Sequence, residues 1–312
     1  MSSIPLQSRL PRTYRIKAIK QETEMVRTYT FDGSLGARPG QFLMLWLPGI
    51  DEKPFSVAFD NGAETKVTFF AVGPMSEALA SCKVGDLVGL RGPFGTSYEW
   101  KPGQHIALVA GGYGAAPMYF VAAETVHHGC TLEVFVGAKS KEHLLYLEEL
   151  ESLPHVSLHV STNDGSMGFK GFNVQLLEKM LEATNSSKQS KTSSEVAGLA
   201  GPATGGLRKG KRESVREKPL GLSLTPIDQV FACGPERMLK AVSELTAKYT
   251  IPSQLSLERY MKCGYGICGN CVVDPLGIRL CCEGPVVKND ACVKIEEFGK
   301  YHRDALGKKH DV

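Results

Sequence analysis

The fold of this 312-residue chain is indicated most clearly by the stretch HIALVAGGYGAAPM, residues 105–118. It begins as a continuous apolar strand, turns through Gly111, Gly112 and Gly114, and continues into a helix. Glycines permit a tight turn and a close approach of the backbone to a pyrophosphate, and the helix N-terminus adds favourable charge. The spacing departs from the GxGxxG dinucleotide fingerprint, so the loop alone also fits a turn with a purely structural role.

Strand and helix patterns alternate after this stretch. Further apolar strands are predicted at residues 132–137, 156–161 and 229–232. Helices are predicted at residues 118–127, 144–150, 175–182 and 236–249. This alternation indicates a doubly wound parallel sheet, an α/β fold.

A second candidate nucleotide element is the turn Cys233-Gly234-Pro235, which follows the last of these strands. Open α/β sheets bind ligands at the carboxyl ends of their strands, which places this turn and the glycine loop at one site. Cys233 is then either close to the nicotinamide or a buried structural thiol. Lys139 and Lys141 follow the second strand, where an adenosine ribose would lie, and they leave NADH versus NADPH open.

The first hundred residues contain short β-rich runs bounded by Gly, Pro or Asp, which predict a small antiparallel barrel. Two segments in it, residues 52–60 and 71–79, fit a flavin site. A flavin needs a donor near N5, a surface against its ring, and amides or hydroxyls at its phosphates. The candidate flavin residues are Lys53, Pro54, Phe55, Ser56, Phe70, Gly73, Met75 and Ser76. The first four also fit a strand edge with Phe55 in the core.

Six of the nine cysteines lie between residues 263 and 292. In a reducing compartment such crowding favours a metal or cluster over disulfides. The spacing Cys263-x4-Cys268-x2-Cys271, followed by Cys281, is that of a plant-ferredoxin [2Fe–2S] site. The glycines between these cysteines allow backbone amides to turn towards the sulfurs and tune the potential.

Two alternatives remain open at this cysteine-rich segment. Four thiolates also form structural zinc sites, although zinc ribbons usually carry two CxxC pairs and only Cys268–Cys271 forms one here. Cys281 and Cys282 are adjacent, and both cannot easily reach the same iron. Cys292 is predicted to be a buried thiol.

The remaining features of the sequence exclude some classes of protein. The net charge of +3 gives no argument for nucleic acid as a partner. No apolar run has the length of a spanning helix, and the N-terminus lacks a signal-peptide core, so we expect a cytosolic, non-membrane protein. Residues 184–224 are rich in Ser, Gly, Lys and Arg and predict a disordered insertion or surface excursion. Its basic run, at residues 208–216, is interpreted as a solvated loop.

Taken together, these motifs resemble the ferredoxin-reductase-type flavoproteins, and most closely the electron-transfer subunits of NAD-dependent dihydroorotate dehydrogenases. That family carries an Arg-Pro-Phe-Ser flavin motif, a Gly-x-Gly-Thr phosphate turn, a GGGxGxAP loop and a Cys-Gly-Pro-Glu turn. The matching segments here are residues 53–56, 73–76, 110–117 and 233–236. The most specific match is SLERYMKCGYGICGNC, residues 256–271. The resemblance covers essentially the whole chain except residues 184–224.

Three departures from the family pattern are visible. Lys53 replaces an arginine, which exchanges a bidentate phosphate contact for a point charge. Met75 replaces a glycine of the phosphate turn, and Ala110 replaces the first glycine of the nucleotide loop. In the family one residue separates the fourth cluster ligand from an Asp/Glu-Gly-Pro-Val run. Cys281 fits that place, because Cys282 lies between it and Glu283, and Cys282 does not.

The resemblance implies three parts: an FAD-binding β-barrel at residues 1–100, an NAD-binding α/β domain at 101–250, and a [2Fe–2S] segment with a tail at 251–312. It implies FAD, a [2Fe–2S] cluster and exchangeable NAD(P) as cofactors. The implied partner is an FMN-containing dihydroorotate dehydrogenase catalytic subunit in a heterotetramer, which would act in pyrimidine biosynthesis. No general base for dihydroorotate is evident, so the chain alone is not expected to oxidise it.

Two other functions stay open at this level. Similar subunits serve hydrogenases, sulfide dehydrogenases and glutamate synthases, which would give a different partner. A protein of a different class, an iron–sulfur redox sensor, would use its cluster to control docking and its basic insertion to bind nucleic acid.

Overall fold

The computed structural model describes residues 10–197 and 225–312. The first unit is a closed antiparallel barrel with strand order β1-β2-β5-β4-β3-β6. Its elements are β1 (Arg12–Gln21), β2 (Val26–Phe31), β3 (Phe42–Leu47), β4 (Asp51–Asp60), β5 (Thr65–Phe70), α1 (Pro74–Ala80) and β6 (Leu87–Phe94). Alternate residues of β3, Leu43 and Leu45, pack inside with Val57 and Val67, as the two-residue period of a strand requires. The predicted barrel is confirmed.

The central unit alternates strands and helices. Its elements are β7 (His105–Gly111), α2 (Ala115–His127), β8 (Thr131–Ala138), α3 (Leu147–Glu151), β9 (Val156–Thr162), β10 (Phe169–Lys170), α4 (Asn173–Ala197), β11 (Gln229–Cys233), α5 (Glu236–Lys248) and β12 (Ser253–Ser256). Short 3₁₀ turns lie at Gly112–Gly114 and Lys141–His143. Because β7 is buried along its whole length, it forms the apolar centre of the sheet.

The last unit consists of short elements around the cysteines and a terminal hairpin. They are β13 (Val272–Val273), β14 (Ile278–Arg279), α6 (Leu280–Glu283), β15 (Val286–Lys288), α7 (Asn289–Cys292), β16 (Tyr301–Arg303) and β17 (Lys309–Asp311). β15 joins the central sheet, whose order is β10-β9-β8-β7-β11-β12-β15, and it is antiparallel to β12. The other pairings in this sheet are parallel, which confirms the predicted doubly wound architecture.

Hydrogen bonds join the three units. The Tyr98 hydroxyl, just after the barrel, donates to the Ala232 carbonyl of β11 at 2.9 Å. The Thr96 hydroxyl donates to the Val286 carbonyl of β15 at 2.8 Å. The Thr96 amide donates to the carbonyl of Gly284, which follows α6. The segment after the barrel is therefore tied to both the sheet and the cysteine-rich unit.

One expectation about the insertion is wrong. The loop was predicted to begin at Thr184, but α4 continues to Ala197. Residues 184–197 contain no Gly or Pro, and the next residue is Gly198, so no helix breaker interrupts the turn-by-turn extension. Residues 198–224, including the basic run, lie outside the described residues. Among those described, no helix is both long enough and apolar enough to span a membrane.

Candidate functional site: a nucleotide cavity and a cysteine loop

The cysteine loop, residues 263–271, is shaped by three glycines with left-handed backbone. Gly264, Gly266 and Gly269 have φ of +77°, +84° and +74°, a region that L side chains rarely adopt. Gly264 also lies against the barrel, because a Cβ there would come within 2.9 Å of the Met44 Cγ. The loop therefore needs glycine both for its turns and for its contact with β3.

Backbone amides of this loop point at the first cysteine sulfur. Burial opposes ionisation of the Cys263 thiol, but hydrogen bonds from the amides of Cys268, Tyr265 and Ile267 outweigh it and lower its pKa to about 7. A hydrogen bond from Cys281 lowers the pKa of the Cys271 thiol to about 6. Iron is bound by thiolates, so the two thiols are prepared for ligation.

The loop runs from the protein interior to its surface. Cys271 and Cys281 are buried, Cys263 is half-buried and Cys268 is exposed. The Cys281 amide lies 3.5 Å from the Cys271 sulfur, whereas the Cys282 sulfur packs beneath Gly266. The Cys281 and Cys282 sulfurs are 3.8 Å apart. Both therefore lie beside the loop. Cys281 contacts the buried ligand Cys271, whereas Cys282 contacts Gly266 and Cys281.

The residues of the loop fit an iron–sulfur cluster in donor chemistry. Cys263 and Cys271 offer thiols with lowered pKa, and backbone amides are directed at the Cys263 sulfur, features that suit a cluster. The hydrogen bond with Cys271 and burial raise the pKa of the Cys281 thiol. Within residues 10–197 and 225–312, no three His, Cys, Asp or Glu side chains are arranged to hold a metal ion. Cys292 is fully buried away from the loop, and its thiol faces the Val287 carbonyl at 3.6 Å.

The glycine loop and the Cys233–Pro235 turn meet at the carboxyl ends of β7 and β11. Cys233 pairs with Ala110 across these parallel strands. A Cβ on Gly114 would lie 2.3 Å from the Cys233 carbonyl oxygen, and one on Gly111 would lie 2.8 Å from the Pro235 Cδ. No side chain fits at such distances, so the glycines are required by the contact between the two turns.

A cavity of about 970 Å³ opens beside these turns. Its walls include Gly111, Gly112 and Pro235 from the sheet and Phe70 from the barrel. The cavity thus bridges the first two units at the strand ends, where α/β sheets bind ligands. Lys139 also lines it. Gly114, Cys233 and Gly234 pack directly behind the wall.

Cys233 is a protonated thiol in this setting. Burial raises its pKa to about 12, and it lies next to Ser256 across the β11–β12 pair. It is therefore not a nucleophile at neutral pH, because nucleophilic attack requires the thiolate.

The candidate flavin residues lie on β4 and at the start of α1. Lys53 forms an ion pair with Asp51 at 2.8 Å, Phe55 packs edge-on against Phe69, and Ser56 is exposed. The Ser76 hydroxyl accepts hydrogen bonds from the Val72 and Gly73 amides at 3.0 and 3.1 Å.

Burial limits what one of these residues can offer. The Met75 side chain is buried in the barrel core, which leaves only its amide for a phosphate. Apart from Phe70, the candidate flavin residues lie outside the lining of the nucleotide cavity; these are Lys53, Pro54, Phe55, Ser56, Gly73, Met75 and Ser76.

Sequence reasoning missed the segment that joins these places. We name residues 258–262, Glu-Arg-Tyr-Met-Lys, the connecting segment. Glu258 accepts a hydrogen bond from the Tyr113 hydroxyl of the glycine loop at 3.0 Å. The Lys53 Nζ lies 5.2 Å above the Tyr260 ring. The only sequence signal was that these residues belong to the family-specific stretch that ends in the cysteines.

Two family models match parts of the chain. The iron–sulfur cluster binding domain of dihydroorotate dehydrogenase B matches residues 258–292. The oxidoreductase NAD-binding domain matches residues 108–204. The first match spans the connecting segment and every proposed cluster cysteine. The second spans the glycine loop.

Relatives of known name match nearly the full length. A probable dihydroorotate dehydrogenase B (NAD(+)) electron transfer subunit from Methanocaldococcus jannaschii is 39% identical, covering 96% of this chain and 98% of that protein. A protein of the same name from Methanothermobacter thermautotrophicus is 34% identical, covering 96% and 97%. Among solved structures, an NADH-dependent reduced ferredoxin-NADP oxidoreductase aligns with a TM-score of 0.70 and 23% identity, covering 95% of this chain and 91% of that one.

Proposed function

Because the chain belongs to the family of dihydroorotate dehydrogenase B (NAD(+)) electron transfer subunits, we propose that it passes electrons between NAD and a partner catalytic subunit in pyrimidine biosynthesis. The protein is an oxidoreductase subunit that uses FAD, a [2Fe–2S] cluster and NAD(P). The observation that carries the proposal is the placement of the cysteine loop. The connecting segment that contacts the glycine loop and Lys53 leads directly into Cys263.

The cofactors divide the chemistry by electron number. A nicotinamide exchanges a hydride, a [2Fe–2S] cluster accepts single electrons, and FAD supplies the conversion between them. The chain's own residues bind and orient these groups. We assign no acid–base residue to this reaction, and the protonated Cys233 thiol, packed behind the cavity wall, is the proposed neutral neighbour of the nicotinamide site.

The proposed binding residues follow from the geometry. The nucleotide is proposed to approach the strand ends at Gly111, Gly112, Gly114, Gly234 and Pro235. Ser56 on the exposed face of β4 is the proposed donor near flavin N5, and Lys53 the charge for its phosphate. Pro54, Phe55 and Phe70 are the proposed ring surface. Gly73 and the amides of Met75 and Ser76 at the start of α1 are the proposed phosphate site.

The proposed cluster ligands are Cys263, Cys268, Cys271 and Cys281. Cys281 is preferred to Cys282 because its amide and thiol contact Cys271. Cys268 is the exposed ligand, so the loop tip is the proposed exit towards the partner. The proposed partner is an FMN-containing dihydroorotate dehydrogenase catalytic subunit in a heterotetramer. In this assembly, electrons from dihydroorotate pass inward to NAD.

Activity assays of the chain with and without the catalytic subunit test this function. The chain alone is expected to reduce a dye with NADH and to leave dihydroorotate unoxidised. Adding a dihydroorotate dehydrogenase catalytic subunit from the same organism should give dihydroorotate-dependent NADH formation. Oxidation of dihydroorotate by the isolated chain would refute the assignment, as would the absence of any coupling to that subunit.

A further inference from the structure

A buried ion network lies at the start of the connecting segment. The side chains of Arg259, Glu236 and Glu297 are only 3%, 4% and 2% exposed. Arg259 donates through Nη1 and Nη2 to both carboxylate oxygens of Glu236, and through Nε to Glu297 Oε1 at 2.6 Å. Its Nη1 also donates to the Glu258 carbonyl at 2.6 Å. One guanidinium therefore holds two carboxylates and its own backbone.

A buried ion network of this kind adds little net free energy to the stability of a fold. The cost of removing three charges from water often equals or exceeds their mutual attraction, so apolar residues of the same volume would stabilise the protein as well. A guanidinium differs from apolar groups in its rigid planar fork, which fixes the positions of its partners. The network therefore points to a requirement for fixed geometry.

The groups that the network joins belong to different sites. Glu236 is the first residue of α5 and directly follows Pro235, which lines the nucleotide cavity. Arg259 lies four residues before Cys263, the first proposed cluster ligand. The residues on either side of Arg259 contact the glycine loop and the candidate flavin segment. Glu258 accepts a hydrogen bond from Tyr113 of the glycine loop, and the Tyr260 ring lies under Lys53.

We propose that Arg259 is a positioning residue for electron transfer, which fixes the cysteine loop relative to the nucleotide turn through Glu236 and Glu297. Electron transfer slows steeply as the distance between donor and acceptor grows. A looser connecting segment would therefore slow reduction of the cluster more than reduction of the flavin. This inference rests on the electron route proposed above.

The conservative variant Arg259→Lys tests the proposal while it keeps one cation in the buried network. Lysine keeps the charge but cannot span both carboxylates with a planar fork. The matched control is Arg15→Lys on β1, an exposed arginine whose Nη1 donates to the Gly85 carbonyl of the barrel at 2.6 Å. Stopped-flow mixing with NADH gives the rates of flavin and cluster reduction in one experiment, normalised to the content of each.

We expect Arg259→Lys to lower the ratio of cluster to flavin reduction rates at least tenfold, while Arg15→Lys keeps the wild-type ratio. Hydrogen exchange, measured without NADH, should rise in Arg259→Lys at residues 234–238 and 259–263 together. A wild-type ratio with unchanged exchange would overturn the inference. If NADH fails to reduce the cluster in the wild-type protein, the proposed electron route itself fails.

A second variant separates geometry from stability. The combination Glu236→Gln, Arg259→Met and Glu297→Gln removes all three buried charges. The outer partners of the two glutamates, His302 and Arg303, are 39% and 37% exposed and remain in contact with water. A folded triple variant with the wild-type rate ratio would show that the network only stabilises the fold. A lowered ratio would support positioning.

Discussion

The nucleotide turns and the cysteine loop are both built on glycines, but the glycines serve different needs. At the nucleotide turns, Gly114 is required because the Cys233 carbonyl lies where a Cβ would be. In the cysteine loop, Gly269 has nothing within 4 Å of a Cβ and is required only by its φ of +74°. The first region is defined by packing between two strands. The second is defined by loop conformation and by the cluster that it binds.

The two regions therefore differ in how far their conformation depends on a bound cofactor. The nucleotide turns are held by parallel pairing between β7 and β11 and by a buried core, so they keep their shape without a ligand. The cysteine loop has an exposed tip and is followed by two short strands of two residues each. Binding free energy at such a site contributes to folding, so cluster loss should loosen this loop first.

The largest expected effect is cluster loss in Cys281→Ser. A serine hydroxyl at this position replaces the fourth thiolate, and the cluster is expected to be absent or grossly substoichiometric. The matched variant Cys282→Ser should keep it, because the Cys282 sulfur packs under Gly266 rather than on Cys271. Iron and sulfide analysis with visible absorption measures both, and NADH-to-dye activity should survive in each. Cluster retention in Cys281→Ser with loss in Cys282→Ser would reverse the assignment.

The second effect compares two glycine substitutions. Gly114→Ala forces the strands apart, which we expect to cost about 1–3 kcal/mol. We expect the NADH KM to rise about tenfold or more, since 1.4 kcal/mol corresponds to one decade. Gly269→Ala strains only one left-handed residue and should cost about 1–2 kcal/mol, confined to the cysteine loop. Urea unfolding and NADH titration distinguish them. An equal rise in KM for both variants would contradict the contrast.

The third effect is a pH dependence in the sheet below the nucleotide turns. The buried Glu133 carboxylate lies 2.6 Å from His159 Nε2 and 3.4 Å from His105 Nε2. The hydrogen bond to Glu133 raises the pKa of His105 above its ordinary 6.5. Burial opposes ionisation of Glu133, but its bonds to His105 and His159 outweigh this and lower its pKa below the ordinary 4.5.

The signs of these shifts define a pH window. The His105 contribution is complete below pH 6.5 and is lost as pH rises through its raised folded-state pKa. The Glu133 contribution is present above pH 4.5 and is lost as pH falls through its lowered pKa. Glu133→Gln should therefore cost about 1.5–3 kcal/mol between these values and less in alkaline buffer. Urea unfolding measures it, with the exposed Glu283→Gln as control. A cost independent of pH would refute the charged pair.

The smallest effect concerns the flavin side. Lys53→Arg restores a planar fork that can bind a phosphate in a bidentate manner. We expect FAD to bind a few-fold more tightly, with NADH reduction of the flavin unchanged. Titration of the apoprotein with FAD measures this. Weaker binding would show that the ammonium group, held by Asp51 and placed over Tyr260, is the required form.

Much of this organisation could be predicted because it depends on local patterns. Local patterns predict the local structure in three places: the apolar run of β7, the glycines after it and the spacing of the cysteines. The predicted barrel was found, although β6, residues 87–94, has no clear strand pattern because its Gly-Pro interruption resembles a turn. β12 and β15 are too short to give a periodic signal, and they form by pairing with each other and with β11.

Tertiary contacts carried the rest. Nothing local to Arg259 reveals that Glu236 and Glu297, 23 and 38 residues away in sequence, converge on it. Which of Cys281 and Cys282 is the proposed fourth ligand also depends on which sulfur faces Cys271, because the side chains of adjacent residues point to different sides. The extension of α4 to Ala197 was missed because a polar composition was interpreted as a loop, although it contains no helix breaker.

The most direct test of the electron route is a visible absorption spectrum of the anaerobically purified protein before and after NADH is added. The account predicts flavin bands with a broad iron–sulfur shoulder, and both should bleach with NADH. A colourless protein that contains zinc would contradict it, leaving a nucleotide-binding fold with a structural metal site at the cysteine loop.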